Sequence, residues 1–472
     1  MERAVDPQIE ARLVSVVPSE RQIRHQQMGF YAFIHFTINT FTGREWGDGT
    51  EDPALFNPVR LDATQWVQAL KAAGMKALIL TCKHHDGFCL WPSQYTDHTV
   101  AASPFRGGRG DVVREVSEAC RAEGLRFGVY LSPWDRNQTV YGQGIPYDDY
   151  FVHQLEELLT GYGEICSVWF DGACGEGPNG KKQQYDWERY YRTIRRLQPG
   201  ACIHVCGPDV RWCGNEAGYT RESEWSVVPE RTRETEKIAA ASQQEDSARF
   251  RERRISASDA DLGSYDLVKQ EEKLVWYPAE VNTSIRPGWF YHAEEDNRVR
   301  SLSELIHIYE SAVGGNATFL LNIPPTPEGL LHENDVNRLR ELGDSLRNTY
   351  GNNLLDRAFL TADAWEPGHE IECARSDDDL RYFKTEDGVR SCRVTVSFPR
   401  ETLVRRVVLK ENIRCSQRVE RFRLLAGERE IYRGTVIGYQ KIVALPPQPL
   451  KEMTLEITDA RVAPTLAFIG VY

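Results

Sequence analysis

The sequence predicts an α/β barrel followed by an all-β sandwich, and three observations carry that reading. The chain has 472 residues, room for a barrel of roughly 250 residues or more plus a smaller module. From about residue 29 to 323, short apolar runs alternate with amphipathic helical patterns, as parallel strands joined by helices do. Beyond a closing helix around 333–349 the texture changes to short period-two strands separated by Gly, Pro and Asp. The barrel domain is therefore placed in residues 1–350 and the sandwich in 351–472.

FYAFIHF (30–36) is the first strand. Asp62 caps the next helix, with Gln65 as its capping-box partner. Trp66, Ala69, Leu70 and Ala73 then recur at helical spacing until Gly74 closes the helix. The pattern repeats through ALILT (77–81), a helix from Asp111 to about Glu123, RFGVYLS (126–132), a helix over 148–162, ICSVWF (165–170), a helix over 185–197 and ACIHVC (201–206). LVWYPAE (274–280) and ATFLLNI (317–323) supply further strands. Between them a helix puts Leu305, Ile308, Tyr309 and Ala312 on one face and ends at Gly314 and Gly315.

Residues 226–273, rich in Arg, Glu, Gln and Ser, show only faint periodicity around 234–255 and read as a solvated insertion. Their position before a late barrel strand also allows them to roof a site and touch a leaving group. In the second domain CRVTVSF, RRVVLKE, RFRLLAG, REIYRGTV, MTLEIT and TLAFIGVY each read as a strand.

Composition narrows the function classes. A formal net charge of -12 argues against nucleic acid and anionic membrane as partners, which require a basic face. A neutral substrate fits better. The eleven cysteines form no CxxC pairs, and several, such as Cys82, Cys166 and Cys202, lie in apolar runs as buried thiols do. The first twenty residues are charged throughout, without an apolar stretch of secretory length, which gives a cytoplasmic location as the expectation. No cofactor is expected, since the chain holds no Walker loop or HExxH. Cys202, His204 and Cys206 share a strand face, but their spacing matches no common zinc pattern and packing explains them; no metal is expected.

Carboxylates stand at several expected strand ends: Glu45, Asp86, Asp135, Asp171, Glu224 and Glu280, with Glu216 on a loop. A nucleophile is best held by a short side chain anchored to a buried strand, which favours Asp171 in VWFDG (168–172). A general acid needs reach and a partly desolvated setting, which suits Glu216 between Trp212 and Tyr219. Two such carboxylates on neighbouring loops are what hydrolysis of a sugar bond needs. His35, His84 and His85 can bond sugar hydroxyls, although His35 also reads as a core histidine. Trp46, Tyr130, Trp134, Trp212 and Trp289 can stack on a sugar ring.

These segments resemble glycoside hydrolase family 29, the α-L-fucosidases. The matching stretches are FYAFIHFTINTFTGREWGDG (30–49), TCKHHDGFCLW (81–91), GVYLSPWD (128–135), VWFDGA (168–173), GNEAG (214–218), SIRPGWFYH (284–292) and GGNATFLLNIPPTPEG (314–329). The resemblance implies an irregular (β/α)8-like barrel and a retaining mechanism, with Asp171 as nucleophile and Glu216 as acid/base. It implies a fucose pocket of His35, Glu45, Trp46, His84, His85, Tyr130 and Trp289. GNEAG is similar to the subgroup that cleaves α-1,3 and α-1,4 linkages in Lewis-type glycans, so a fucosylated oligosaccharide is the implied partner. Another barrel glycosidase, such as a galactosidase, and a non-catalytic glycan-binding protein are the competing readings.

Overall fold

A computed structural model describes residues 6–242 and 260–472. The first domain is built on β1 (Phe30–Ile34), β2 (Ala77–Lys83), β3 (Arg126–Leu131), β4 (Ser167–Phe170), β5 (Cys202–Val205) and β6 (Arg211–Trp212). It continues with β7 (Val227–Pro229), β8 (Leu274–Trp276), β9 (Ala279–Ser284) and β10 (Ala317–Asn322). All but β7 and β8 form one parallel sheet in the order β5-β4-β3-β2-β1-β10-β9-β6. Among the described residues a single bridge, His204–Val210, joins β5 toward β6, so the barrel is nearly closed.

The helices arise where the sequence predicts them. Asp62 accepts the Gln65 amide and starts Ala63–Ala72, and Asp111 accepts the Arg114 amide and starts Val112–Glu123. Ile145–Gly161, Trp187–Leu197, Leu302–Ala312 and Glu333–Tyr350 follow β3, β4, β9 and β10. The irregularity lies between β5 and β6, which a short turn joins without a helix. Val205 ends β5 at φ 62°, a conformation that a β-branched residue rarely accepts.

Because a parallel barrel is covered on both faces, its strands read as continuous apolar runs, yet alternate residues serve different cores. Phe30, Ala32 and Ile34 pack outward with Leu78, Leu80, Val129 and the helices. Tyr31 and Phe33 point inward with Ile79, Tyr130, Trp169 and Leu320. The interior is layered, as filled barrels are. At the N-terminal end Glu280, fully buried, accepts from Tyr31, from Trp169 Nε1 at 2.8 Å and from His204 Nδ1 at 2.8 Å. His204 Nε2 meets Ser167 at 3.1 Å, and His25 from helix Glu20–Met28 meets Thr318 at 3.1 Å. Phe33 lies above this layer, with its ring centroid 5.1 Å from Trp169 and 4.6 Å from His35.

The segment 274–280 differs from its expected form. Instead of one strand it divides at Tyr277–Pro278: β8 leaves the barrel to pair with β7, and β9 alone joins the sheet. Proline donates no ladder hydrogen bond and marks that break.

The second domain is antiparallel: β11 (Phe359–Ala362), β12 (Phe383–Lys384), β13 (Cys392–Lys410), β14 (Val419–Ala426), β15 (Arg429–Gly434), β16 (Lys441–Ala460), β17 (Thr465–Leu466) and β18 (Phe468–Val471). CRVTVSF and RRVVLKE are two halves of one 19-residue strand, β13, whose pairing with β16 shifts register between Ser397 and Thr402. Val394 and Val396 from one half and Val407 and Leu409 from the other enter a single core. The N-terminal segment clasps this domain through Glu10–Arg390 at 2.7 Å and Ser416 Oγ donating to Val16 O at 2.7 Å.

Candidate active site

Every loop that carries a predicted site residue leaves the C-terminal end of a barrel strand, the face on which barrel enzymes assemble their sites. Asp171 directly follows β4. Its Oδ1 accepts the Ala173 amide at 2.9 Å and its Oδ2 accepts the Tyr130 hydroxyl at 3.0 Å. The carboxylate is thus fixed in rotation while its side chain stays 22% exposed, open to a ligand. Asp171 thus makes a turn and still presents an oxygen.

His85 Nε2 lies 3.7 Å from Asp171 Oδ2. The Ser132 hydroxyl donates to Trp134 O at 2.6 Å, so at 2.7 Å it accepts from His85 Nδ1. That leaves Nε2 of a neutral His85 as an acceptor. His35 donates from Nδ1 to Asn322 Oδ1 at 2.8 Å, because the Asn322 amide nitrogen already donates to Ser284 and Trp289 O. His84 Nδ1 instead accepts from the Asn39 amide at 3.4 Å, which makes its Nε2 a donor. Burial pushes His35 down to about 3 and His85 to about 4, and holds His84 well below the ordinary histidine range. Three neutral imidazoles, two presenting acceptors and one a donor, match sugar hydroxyls better than a charged ligand.

The aromatic residues close round this group. Trp46 stands edge-on to His85 and to Trp134, with centroids 5.5 and 5.6 Å apart, and Trp289 lies 5.1 Å from His35. Tyr130 stacks on Trp169 at 5.4 Å. Trp134 donates to Glu176 O at 3.1 Å, and Trp212 donates to Asn282 at 2.9 Å while packing on the interior cluster that also holds Trp169.

Glu45 positions a neighbouring loop of the site. It accepts the Trp289 amide at 2.8 Å, the Phe290 amide at 3.2 Å and His292 Nε2 at 2.7 Å, and so holds the loop that carries Trp289. This carboxylate raises His292 above its usual range.

Glu216 is half-buried on the turn after β6. Asn215 builds that turn, accepting the Ala217 and Tyr219 amides at 3.0 and 3.2 Å, and Arg221 braces it by donating to Cys213 O at 2.9 Å. The β4 and β6 loops that carry Asp171 and Glu216 flank β5 on the same rim.

The remaining strand-end carboxylates are spent within the fold. Asp135 pairs with buried Lys83 at 2.9 Å, Glu224 with Arg211 and Arg221 at 2.6 and 3.2 Å, and Glu280 with His204. Asp86 is wholly buried, and burial pushes it up to about 7. In the Cys202–His204–Cys206 stretch His204 is fully engaged and Cys202 donates to Arg21 O at 3.3 Å, so packing accounts for it. GEGPNG (175–180) has the spacing of a dinucleotide loop but forms a turn closed by Gly177 N to Lys181 O at 2.9 Å, and no helix opens from it.

Three supporting residues escaped the sequence reading: Asn322, Ser132 and Asn39, which set the states of the three histidines. Asn322 and Ser132 are polar residues at the C-terminal ends of otherwise apolar strands, a signal that was available. The insertion also reaches the site. Its helix Thr235–Ser242 rests on Gly172, where an added Cβ would stand 2.2 Å from Ser242 Oγ and 3.3 Å from Ile238. The rest of the faint helical pattern, residues 243–255, lies outside the described residues.

Comparison with known proteins gives the geometry its family. The family model described as Alpha-L-fucosidase matches residues 20–351. Alpha-L-fucosidase 1 of Arabidopsis thaliana is 36% identical over 97% of this chain and 87% of that protein. A putative alpha-L-fucosidase structure from Bacteroides ovatus shares 44% identity with a TM-score of 0.84, covering 99% of this chain and 77% of that one. A Ruminococcus gnavus GH29 fucosidase solved in complex with fucose shares 27% identity with a TM-score of 0.83, covering 100% and 96%. The galactosidase and lectin readings give way to these matches. The chain belongs to the α-L-fucosidases of glycoside hydrolase family 29.

Proposed function

We propose that this fucosidase is a retaining enzyme that removes terminal α-1,3- or α-1,4-linked L-fucose from branched, Lewis-type oligosaccharides. The observation that carries the reading is Asp171, an open carboxylate held by Tyr130 and the Ala173 amide at the end of a buried strand. Its oxygen attacks the anomeric carbon while the glycosidic bond breaks, and Glu216 gives its proton to the departing oxygen. Glu216, now a carboxylate, takes a proton from water, whose oxygen displaces Asp171 and releases fucose with its original anomeric configuration. His35, His84 and His85 hold the hydroxyls, and Trp46 and Trp289 flank the ring. Support for the linkage preference is the GNEAG turn that presents Glu216.

NMR of the first anomer released tests the mechanism: the α-anomer is expected, and initial release of the β-anomer overturns it. Lewis a and Lewis x trisaccharides assayed beside an aryl fucoside test the linkage. Preferential cleavage of the trisaccharides is expected, and efficient turnover of the aryl fucoside alone overturns that part.

A further inference from the structure

Beside the catalytic mouth the barrel rim carries a second recess, a groove of about 840 Å³. One wall is the start of helix Trp187–Leu197, with Tyr185, Trp187 and Tyr191; the other is residues 230–236, and Gly207 and Pro208 lie at its base. Trp187 and Tyr191 are four residues apart on one helix face and lie nearly parallel, 24° between planes with centroids 6.3 Å apart. Tyr191 is anchored by donating to Cys206 O at 3.0 Å, so its ring is fixed before any ligand arrives.

The charges along the groove are mixed. Asp186, Glu188, Glu230, Glu234 and Glu236 line it together with Arg192, Arg195 and Arg233, of which Arg195 is committed to Ala201 O and Asp209 and Arg233 to Trp276 O and the Tyr277 ring. This field favours neither a phosphate nor a polyanion. Flat aromatic faces rimmed by donors and acceptors of both kinds suit a neutral, hydroxyl-rich ligand.

One helix links the groove to the site. Helix Thr235–Ser242 begins in the groove and ends on Gly172, next to Asp171, and Ile238 midway packs on the interior cluster that includes Trp212 and Trp289. From Glu236 to Ser242 the helix covers about 9 Å. That is within reach of an oligosaccharide whose fucose occupies the pocket.

We propose that this groove is a distal subsite that binds the neutral sugar residues of the substrate lying beyond the fucose-bearing unit. The proposal rests on the fucosylated-oligosaccharide reading above. It assigns helix Thr235–Ser242 as the partition between the fucose pocket and the subsite, which gives this part of the insertion a role in substrate choice.

Two variants test it. Trp187→Ala removes a stacking face, and Arg192→Tyr fills the groove from an exposed position, so that no buried contact is lost. The first readout is titration of a fucose-free oligosaccharide, the product of an extended Lewis-type glycan, followed by tryptophan fluorescence and saturation-transfer NMR. Saturable binding to the parent protein, weakened about fivefold or more in both variants, is expected. The second is the ratio of kcat/KM for the extended glycan to that for an aryl fucoside, which should fall by a similar factor. No binding by the parent protein, or changes below about twofold in both variants, overturns the subsite. If the parent protein binds the fucose-free glycan yet cleaves no fucosylated one, the linkage reading fails and the groove stands. Thermal melts of Trp187→Ala separate loss of the ring from loss of the fold, and Arg192→Tyr decides where that variant does not fold.

Discussion

His204 and His85 lie in the same barrel interior, both buried, a few layers apart, and they do opposite things. Both ring nitrogens of His204 are committed, one to Glu280 and one to Ser167. His85 spends one nitrogen on Ser132 and turns the other toward Asp171. In the floor, Glu280, His204 and Ser167 are satisfied by one another and by Tyr31 and Trp169, while the neighbouring His25 keeps a buried, unpartnered Nδ1. The mouth uses the same residue types but leaves one position of each group for a ligand. A buried polar group costs free energy unless it is bonded, so His204, with both nitrogens bonded, is spent on the fold, while His85 keeps a nitrogen that a sugar hydroxyl can satisfy. What separates a structural polar layer from a binding one here is the number of partners supplied.

Three changes would break or sharpen this contrast. The largest effect is expected for Asp171→Asn, which should lower kcat by about 10,000-fold with little change in melting temperature. A loss below about tenfold in steady-state assays would remove Asp171 from the reaction. Next comes Glu280→Gln, which turns one of the two oxygens that accept from Tyr31, Trp169 and His204 into a donor and sets donor against donor in a buried layer. It should cost about 3 to 5 kcal/mol of stability in denaturant unfolding. KM of the folded fraction should stay near the parent value, and a variant as stable as the parent would contradict the floor's structural role.

The smallest effect is the pH response of the mouth. His85 titrates at about 4 when folded, against about 6.5 in an unfolded chain. As pH falls, the unfolded state takes up the proton first. The stability tied to neutral His85 is therefore full above about pH 6.5 and drains away as pH drops toward about 4, a loss on the order of 3 kcal/mol. His35 and His84, also lowered by burial, add slopes of the same sign, so His85→Gln should reduce the acid slope in melts between pH 7 and pH 4.5 without abolishing it; an unchanged slope would show that His85 is not among the groups being charged.

Much of the barrel was legible in the sequence because its signals are local. Asp62 and Asp111 cap helices within three residues of themselves, and the strands carry their apolar runs in sequence. Asp171 was legible for the same reason, as a short carboxylate directly after such a run. Glu224 and Glu280 looked equivalent to it, since what disqualifies them is Arg211, Arg221 and His204, residues that only the fold brings near. The bonds from Glu45 to the Trp289 loop were not legible either, because those partners lie some 244 residues away. The two-residue β6, the division at Pro278 and the fusion of two expected strands into β13 depend on pairing across the sheet, which period and propensity do not encode.

The bonds from Glu45 to the loop of Trp289 and His292 also set a timetable. The pocket joins the start of the chain to a segment made far later, and β1 is flanked by β10 as well as by β2. Contacts of such long sequence separation form slowly. While the chain is being synthesised, a half-made barrel holds its first histidines but no walls, so it has no grip on fucose. Recovery of sugar binding during refolding would therefore act as a clock for barrel closure, running behind the appearance of helical structure.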